Sequence, residues 1–314
     1  MKTSFENIEN ELRVLEDCRI CPHECGVNRL EGASGYCRTG AGYYISSIVI
    51  HMGEEPLISG SDGICNVFFG HCNMQCIYCQ NYQISRNTCK NAGRYLSLKE
   101  TITPIEQILD RGIENVGFVS PSHMIPQFKT IVKCLNRDGY HPSIVYNTNA
   151  YDKVETLKSI EEIVDVYLPD FKYDDQQLAS MWSGIKDYPQ VARDAIKEMY
   201  RQKGNYLHVN ESGKLDRGLI IRHLVLPGAV ENSLNVLRFL AEEVSNRIAI
   251  SLMSQYNPVL PVTGNYPLNR KITIAEYEQV VKEMHKLGFT KGWIQEPDSP
   301  DSYLPDFSSS HPFG

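Results

Sequence analysis

The sequence lacks any apolar run approaching the roughly 18 residues that a membrane-spanning helix needs, so no span is expected. Its first stretch, MKTSFENIENELRVLEDC, has no apolar core and is acidic. That is not the pattern of a secretory signal, and the expected location is the cytoplasm. There is no excess of positive charge: 31 Lys and Arg stand against 38 Asp and Glu, a net charge of −7. A general nucleic-acid binder is therefore not expected. Internal repeats and low-complexity blocks are also missing. Without an export signal, the ten cysteines do not read as a disulfide framework. Clustered thiols in a reducing compartment bind metal or do redox work.

What is present is unevenly placed. Seven of the ten cysteines fall into two groups, Cys18/Cys21/Cys25/Cys37 and Cys72/Cys76/Cys79. Cys65, Cys89 and Cys134 stand alone and read as small buried residues. The chain is otherwise ordinary for a globular protein, with 42% hydrophobic and 22% charged residues.

Residues 5–16 have the spacing of a short amphipathic helix, with Phe5, Ile8, Leu12 and Leu15 on one face. An irregular Gly- and Cys-rich stretch follows to Gly42, and YYISSIVIHMGEEP then predicts a strand ending near Gly53. From about residue 64 short apolar runs alternate with helical patterns. The runs are 64–69, 115–120, 143–148, 164–170, 218–227 and 248–253, with a last short one at 292–295. The helices are expected near 104–111, 124–138, 152–161, 187–203, 231–243 and 274–287. Such alternation means βαβ units and a parallel sheet. The predicted fold is α/β, a partial (β/α)6 barrel of TIM type: six units are too few to close an eight-fold barrel. The expected divisions are 1–60, an N-terminal helix and four-cysteine metal-binding extension; 61–295, the partial barrel; and 296–314, a Pro-, Ser- and Asp-rich tail serving as a cover or loose end.

The polar motifs sit at the ends of predicted strands. CNMQCIYCQN (72–81) follows the first barrel strand, and SPSH (120–123), NTN (147–149), PDFK (169–172) and LVLPG (224–228) follow others. In βα barrels that end carries the active site, because strand ends from several units converge there.

Thiolates are soft ligands suited to zinc or iron–sulfur clusters. A structural zinc site wants four closed ligands, and three cysteines on one tight loop leave one corner open. His71 closing that corner would make a zinc site. An iron–sulfur cluster would instead leave one iron open to a substrate or cofactor, and this is the reading we take.

The C-x3-C-x2-C loop with Tyr78 before its last cysteine resembles the signature of the radical S-adenosylmethionine (radical SAM) superfamily. The resemblance implies that Cys72, Cys76 and Cys79 hold a [4Fe–4S] cluster whose open iron chelates the methionine amino and carboxylate groups of SAM. One electron would split SAM to methionine and a 5′-deoxyadenosyl radical, which abstracts hydrogen from a substrate. VYNTNAYD (145–152), LPDFKY (168–173) and IIRHLVLPG (220–228) resemble strand ends of glycyl-radical-enzyme activases. CRICPHECGVNRLEGASGYC, EEPLISG and Gln80–Asn81 resemble the pyruvate formate-lyase activating enzyme-related (PflX-like) branch. Where the wider superfamily often has a G-G-E strand end touching the SAM amino group, this chain has Ser120-Pro121-Ser122-His123. The hydroxyls of Ser120 and Ser122 are the expected substitutes.

By the same resemblance Tyr78 packs by adenine, and Asn147 and Asp170 face the ribose and methionine side, Asp170 on a bound cation. Lys172 or Arg222 pairs with the SAM carboxylate. His123 is a substrate-side acid/base or merely a helix-cap neighbour; Tyr256 lines the substrate mouth or is a core tyrosine. The spacing of Cys18, Cys21, Cys25 and Cys37 resembles a zinc knuckle, with a second iron–sulfur cluster as the rival. Expected partners are an electron donor such as flavodoxin or ferredoxin and a protein, peptide or small-molecule substrate. A non-enzymatic iron–sulfur electron carrier is the alternative from another class.

Overall fold

The alternating apolar segments become strands almost where the sequence puts them. In the computed structural model the described residues are 10–259, 267–296, 304–309 and 312–313. The strands are β1 (Tyr43–His51), β2 (Ile64–Phe69), β3 (Arg94–Leu96), β4 (Asn115–Val119), β5 (Ser143–Thr148), β6 (Val166–Pro169), β7 (His208–Val209), β8 (Leu215–Leu224), β9 (Ala249–Met253) and β10 (Gly292–Ile294). Between them run α1 (Pro56–Ser59), α2 (Tyr82–Ser85), α3 (Leu98–Leu109), α4 (Ile125–Arg137), α5 (Val154–Lys158), α6 (Gln176–Ser183), α7 (Tyr188–Lys203), α8 (Val230–Phe239) and α9 (Ile274–Lys286). No helix among the described residues is long and apolar enough to cross a membrane.

The sheet order is β10-β9-β8-β6-β5-β4-β2-β1-β3. From β2 to β10 the neighbours are parallel, while β1 and β3 are antiparallel additions at one edge. The sheet does not close, so the fold is a partial barrel. The short run at 292–295 supplies a parallel strand beyond the six expected units. β1 hydrogen-bonds along β2, so the N-terminal part and the barrel share one sheet. The divisions at residues 60 and 296 remain a proposal from the sequence. Phe5 and Ile8 of the expected first helix, and most of the tail, lie outside the described residues.

Two helices differ from expectation for local reasons. α3 starts ahead of residue 104 because Ser97 and Glu100 form a capping box: Glu100 N–H donates to Ser97 Oγ (3.2 Å) and Ser97 N–H to Glu100 Oε2 (2.7 Å). α6 was not expected. Asp175 caps it by accepting from Gln177 and Leu178 N–H, and Gly184 ends it in a left-handed turn.

Alternation along the strands sorts residues between two faces. The odd positions of β2 (Cys65, Val67, Phe69) join the main core with Val116, Phe118, Tyr146, Tyr167, Ile221 and Ile250, against the helices. The other face lines the barrel lumen in layers. Its floor is Ile64, Val145, Val166, Ile220 and Ala249, plugged by Ile58 of α1. One step further along the strands come Asn66, Gly117, Asn147, Leu168, Arg222 and Ser251, and then Phe68, Val119, Asp170, Leu224 and Met253. Leu168 still packs on the apolar floor, whereas Asn66, Asn147, Arg222 and Asp170 hold polar groups toward the C-terminal ends, where the site is.

Gly117 shows how tight the middle layer is. It pairs with Asn66, and a Cβ there would meet Asn66 Oδ1 at 2.1 Å. Gly117→Ala should therefore lower stability by about 1–3 kcal/mol, the range for overpacking a filled core. Chemical denaturation measures it, and an unchanged midpoint would refute the packing argument.

Candidate active site

The loop between β2 and α2 carries the cysteine triplet over the C-terminal ends of the parallel strands. It is pinned from below and beside. Ile77 N–H donates to Trp182 O at the end of α6 (2.8 Å), and Asn73 Nδ2 to Tyr151 O beyond β5 (2.8 Å). One cavity opens there. Its walls include Cys72, Cys76, Cys79, Tyr78, Ser120, Asn147, Asp170, Lys172 and Arg222, contributed by the loop and by β4, β5, β6 and β8 or the turns after them. Nine residues from five segments of the sequence are thus brought together.

Each sulfur of the triplet accepts a hydrogen bond. Cys72 Sγ accepts from Met74 N–H (3.3 Å) and Asn149 Nδ2 (3.4 Å), Cys76 Sγ from Ser183 Oγ (3.0 Å), and Cys79 Sγ from Ser85 Oγ (3.2 Å). Burial pushes the free Cys72 thiol up to about 12 and Cys76 to about 11, the latter against the pull of Lys172. Bare thiolates are thus disfavoured here, whereas thiolates bound to a cationic cluster would find donors already in place. The lone cysteines differ: Cys89 Sγ donates, to Tyr82 O (3.8 Å), and Cys65 and Cys134 are simply buried. His71 does not line the cavity of the triplet; its Nε2 bonds Cys89 O (3.2 Å), and no group of three or more His, Cys, Asp or Glu among the described residues includes it as a metal site.

Opposite the cysteines lies a charged group. Lys172 Nζ donates to Asp170 Oδ2 (2.8 Å). Arg222 Nη1 reaches Glu54 Oε2 (3.1 Å), and its Nε lies 3.4 Å from Glu55 Oε1 and 3.6 Å from Asp170 Oδ1. Burial works against the Asp170 carboxylate, but Lys172 and Arg222 outweigh it and hold its pKa below the ordinary value. Burial likewise opposes the Lys172 ammonium, and Asp170 and Cys76 more than compensate. Glu55 goes the other way: burial pushes its carboxyl up despite Arg222.

Glu54 and Glu55 had no expected role. Glu54 Oε1 also accepts from Asn66 Nδ2 (2.8 Å) and Asn147 Nδ2 (3.5 Å), so it sits at the centre of the polar layer. The Glu-Glu-Pro run is visible in the sequence, but nothing local says that a turn after an edge strand folds back into the lumen.

Three expected residues lie outside the cavity. Ser122 is 1% exposed and its hydroxyl pairs with Thr148 Oγ1 (3.0 Å), which leaves Ser120 as the hydroxyl facing the site. His123 is 1% exposed, bonds Gly70 O through Nε2 (3.1 Å), and is held near 3 by burial and by Arg29. A neutral, enclosed imidazole is not a substrate-side acid/base. Tyr256 is 2% exposed with its hydroxyl on Leu268 O (2.6 Å); it is a core residue packed edge-on to Tyr78, not part of the mouth. The ring of Tyr78 itself packs between Tyr173 and Tyr256. Pro305 and Phe313 of the tail line the cavity as well, with Phe313 against the His51 ring at 4.0 Å.

The second cysteine group lines a smaller cavity of its own, with Arg29, Tyr36 and His123. Here too every sulfur is hydrogen-bonded: Cys18 accepts from Arg29 Nη1 (3.7 Å), Cys21 from His23 N–H and Cys25 from Tyr36 N–H (3.3 Å), and Cys37 Sγ pairs with Thr39 Oγ1 (3.0 Å). Gly35 is required beneath Cys25, since a Cβ would meet its Sγ at 2.6 Å. Arg29 is 2% exposed and all its donors go to carbonyls, Thr39, and the sulfurs of Cys18 and Met124. A buried guanidinium with no carboxylate partner among the described residues suits a site that would become anionic if its thiolates bound metal. As they stand, no group of three or more His, Cys, Asp or Glu among the described residues is arranged to hold a metal ion. The fit of both groups rests on their donor sets and cavities.

No protein-family profile matches the chain. The uncharacterized protein MJ0674 of Methanocaldococcus jannaschii is 30% identical over 284 residues, 89% of this chain and 77% of that protein. Among solved structures, HydG, a maturase of the [FeFe]-hydrogenase, gives a TM-score of 0.48 at 15% identity, covering 94% of this chain and 64% of that one. SuiB of Streptococcus suis gives 0.47 at 15% identity, over 72% and 47%. Native anSMEcpe with bound AdoMet gives 0.45 at 13%, over 74% and 59%. This chain spans less than two thirds of the length of each of these three. The chain belongs to the family of the Methanocaldococcus protein.

Proposed function

We propose that this protein is a radical SAM enzyme that abstracts hydrogen from a substrate, in the manner of the glycyl-radical-enzyme activases. The observation that carries this is the juxtaposition of the hydrogen-bonded sulfurs of Cys72, Cys76 and Cys79 with the Asp170–Lys172–Arg222–Glu54 group across one cavity. A [4Fe–4S] cluster with SAM bound would supply reductive cleavage of SAM and a 5′-deoxyadenosyl radical. The residues supply placement. The cavity wall offers both signs of charge, Glu54 and Asp170 against Lys172 and Arg222, as SAM itself carries both. Lys172 and Arg222 offer cations to its carboxylate; Glu54, Asp170, Asn147 and Ser120 offer acceptors to its ammonium and ribose hydroxyls.

The finer assignment, to the PflX-like branch, is supported by the EEPLISG and Gln80–Asn81 resemblances. Gln80 Nε2 donates to Gln255 O (2.9 Å), joining the cysteine loop to the segment after β9. A flavodoxin- or ferredoxin-type donor, a protein or peptide substrate and a cytoplasmic location complete the proposal. A non-enzymatic electron carrier would need the cysteines but not the charged lumen, and it would form no 5′-deoxyadenosine.

Asp170→Asn and Lys172→Met each break a pair in which both side chains are mostly enclosed. Removing one partner of a buried charged pair costs about 2–5 kcal/mol. SAM affinity, measured by equilibrium dialysis on cluster-loaded protein, should fall well over tenfold in either variant with iron content unchanged. Wild-type affinity in both would remove these residues from the cofactor site.

A further inference from the structure

We infer that His51 hydrogen-bonds the substrate, at an aromatic end of the cavity that Phe313 of the tail completes, and that the group bound there is a planar apolar one bearing a single neutral hydroxyl or amide. With SAM at the charged group, this end is what remains for a substrate, so the assignment rests on the proposed function and deepens it.

Part of the cavity wall is the cysteine loop and the Asp170–Lys172–Arg222–Glu54 group. The wall also includes Phe68, Val119, Pro305 and Phe313, with His51 among them. Phe68 and Val119 belong to one buried apolar cluster, and Phe307 and Phe313 pack against it. The Phe68 ring lies 5.2 Å from that of Phe307 and 5.6 Å from that of Phe313, centroid to centroid. Specific bonds fasten the tail there. Gln83 of α2, directly after the cysteine loop, donates from Nε2 to Asp306 Oδ1 (3.0 Å) and accepts from Phe307 N–H (2.8 Å). Asp306 N–H donates to Pro312 O (2.8 Å), which sets Phe313 beside Phe307.

His51 stands among these apolar side chains without an anchor. Its Nδ1 is buried and bonds nothing. His71 and His123 also bury an unbonded Nδ1, but each bonds a carbonyl through Nε2. No described residue hydrogen-bonds the His51 ring through either nitrogen, and the Phe313 ring packs on it at 4.0 Å. A buried polar atom left unpaired is costly, so a ligand that brings the missing partner is favoured. With no bond to fix the ring, its broad two-fold torsion about Cβ–Cγ lets Nδ1 turn to the cavity.

The chemistry of this end selects the ligand. Burial holds the His51 pKa below its ordinary value, so the ring is neutral at neutral pH. Glu54 and Arg222, the charged groups that act on it, pull in opposite directions. A neutral imidazole has one donor and one acceptor. A hydroxyl or an amide matches both. A carboxylate or an ammonium would match one and bring an unpaired charge among phenyl rings. Phe68 and Phe313 favour a planar body that can meet them edge-on or offset. A tyrosine side chain and a free phenolic molecule share this chemistry.

The test uses the full chain, loaded anaerobically with its cluster and SAM, and reads binding by NMR titration. Phenol is the probe. Toluene is the ring without the hydroxyl, and acetyl-Gly-Tyr-Gly-amide carries the phenol on a peptide. Wild type should bind phenol about tenfold more tightly than toluene, because the hydroxyl pairs an otherwise unpaired buried nitrogen. His51→Phe should reduce phenol affinity to that of toluene and leave toluene unchanged. His51→Asn, whose amide stands in for Nδ1, should restore most of the loss. Phe313→Ala should weaken phenol and toluene alike, since it removes wall and not bond. Phenol should also shift the imidazole signal of His51 in wild type with labelled histidine, a readout that needs no variant to fold. An unmoved signal, no preference for phenol over toluene, or wild-type phenol affinity in His51→Phe would each overturn the assignment. Peptide binding as tight as phenol places the group on a peptide side chain; phenol binding alone makes it a free molecule. Formation of 5′-deoxyadenosine by wild type tests the reading beneath. If none forms while phenol still binds through His51, the radical SAM reading fails and the pocket stands as a binding site. If it forms while His51→Phe binds phenol like wild type, the role of His51 alone fails.

Discussion

Replacing Cys76 by alanine should leave the loop without its cluster and abolish formation of 5′-deoxyadenosine from SAM, while the chain still folds. On the proposed reading Cys76 is the middle ligand of a set of three, and among the described residues no neighbour is placed to replace it: His71 and Cys89 lie outside the cavity lining, and Cys89 points its thiol at Tyr82 O. A site with one ligand missing loses its geometry as a whole. The fold does not depend on the sulfur, because the loop is held by backbone and side-chain bonds from Ile77, Asn73 and Asn87. Cys134→Ala is the control. That thiol sits on α4, buried in the core and outside both cysteine cavities, so its loss should leave metal content and SAM cleavage intact. Iron and sulfide analysis with product assay separates the outcomes. A Cys76→Ala protein that keeps a full cluster and cleaves SAM would end the assignment of the triplet.

Arg222→Met should be the most destabilising single change in the lumen. The arginine side chain is 15% exposed and faces Glu54 (7% exposed), Glu55 (5%) and Asp170 (28%). Methionine fills much of its volume but leaves three acids facing one another. Breaking a buried ion pair from one side costs about 3–5 kcal/mol. The loss should depend on pH, and its sign can be worked out. In the wild type Asp170 is held below its ordinary pKa, so its contribution is present above the unfolded value and fades as pH falls through the folded one. Glu55 is shifted up, so its contribution is full below the unfolded value and fades as pH rises. Without Arg222 the Asp170 and Glu55 carboxyls, which it pulls down in the wild type, should both shift up, and folding should then take up protons. The gap in melting temperature between variant and wild type should therefore narrow as pH falls from about 7.5 to about 5. A gap that stays constant across that range, or a loss below about 1 kcal/mol, would show that the acids are not coupled through Arg222.

Much of this protein is written locally in its chain. The strands from 64 to 253 could be read because short apolar runs alternating with helical patterns need no distant partner to be recognised. The triplet could be read because ligands within one loop must be close in sequence. The strand-end residues Asn147, Asp170, Lys172 and Arg222 followed from the rule that such ends converge, and they do line one cavity.

Tertiary structure decided the rest. Ser122, His123 and Tyr256 look as available in the sequence as Ser120, but a left-handed turn at Ser120 (φ 54°) sends the chain inward and buries the two residues after Pro121. Glu54 and Glu55 became lumen residues because α1 plugs the barrel floor and carries them with it. The hydrogen bonds from His23 Nε2 to Asn73 O and from Asn87 Nδ2 to Tyr36 O exist only once β1 has docked the N-terminal part on β2. The physical reason is the same in each case. Local sequence fixes a residue's own backbone preference and the face it turns to, whereas the partner on that face is chosen by chain segments that can be anywhere in the sequence.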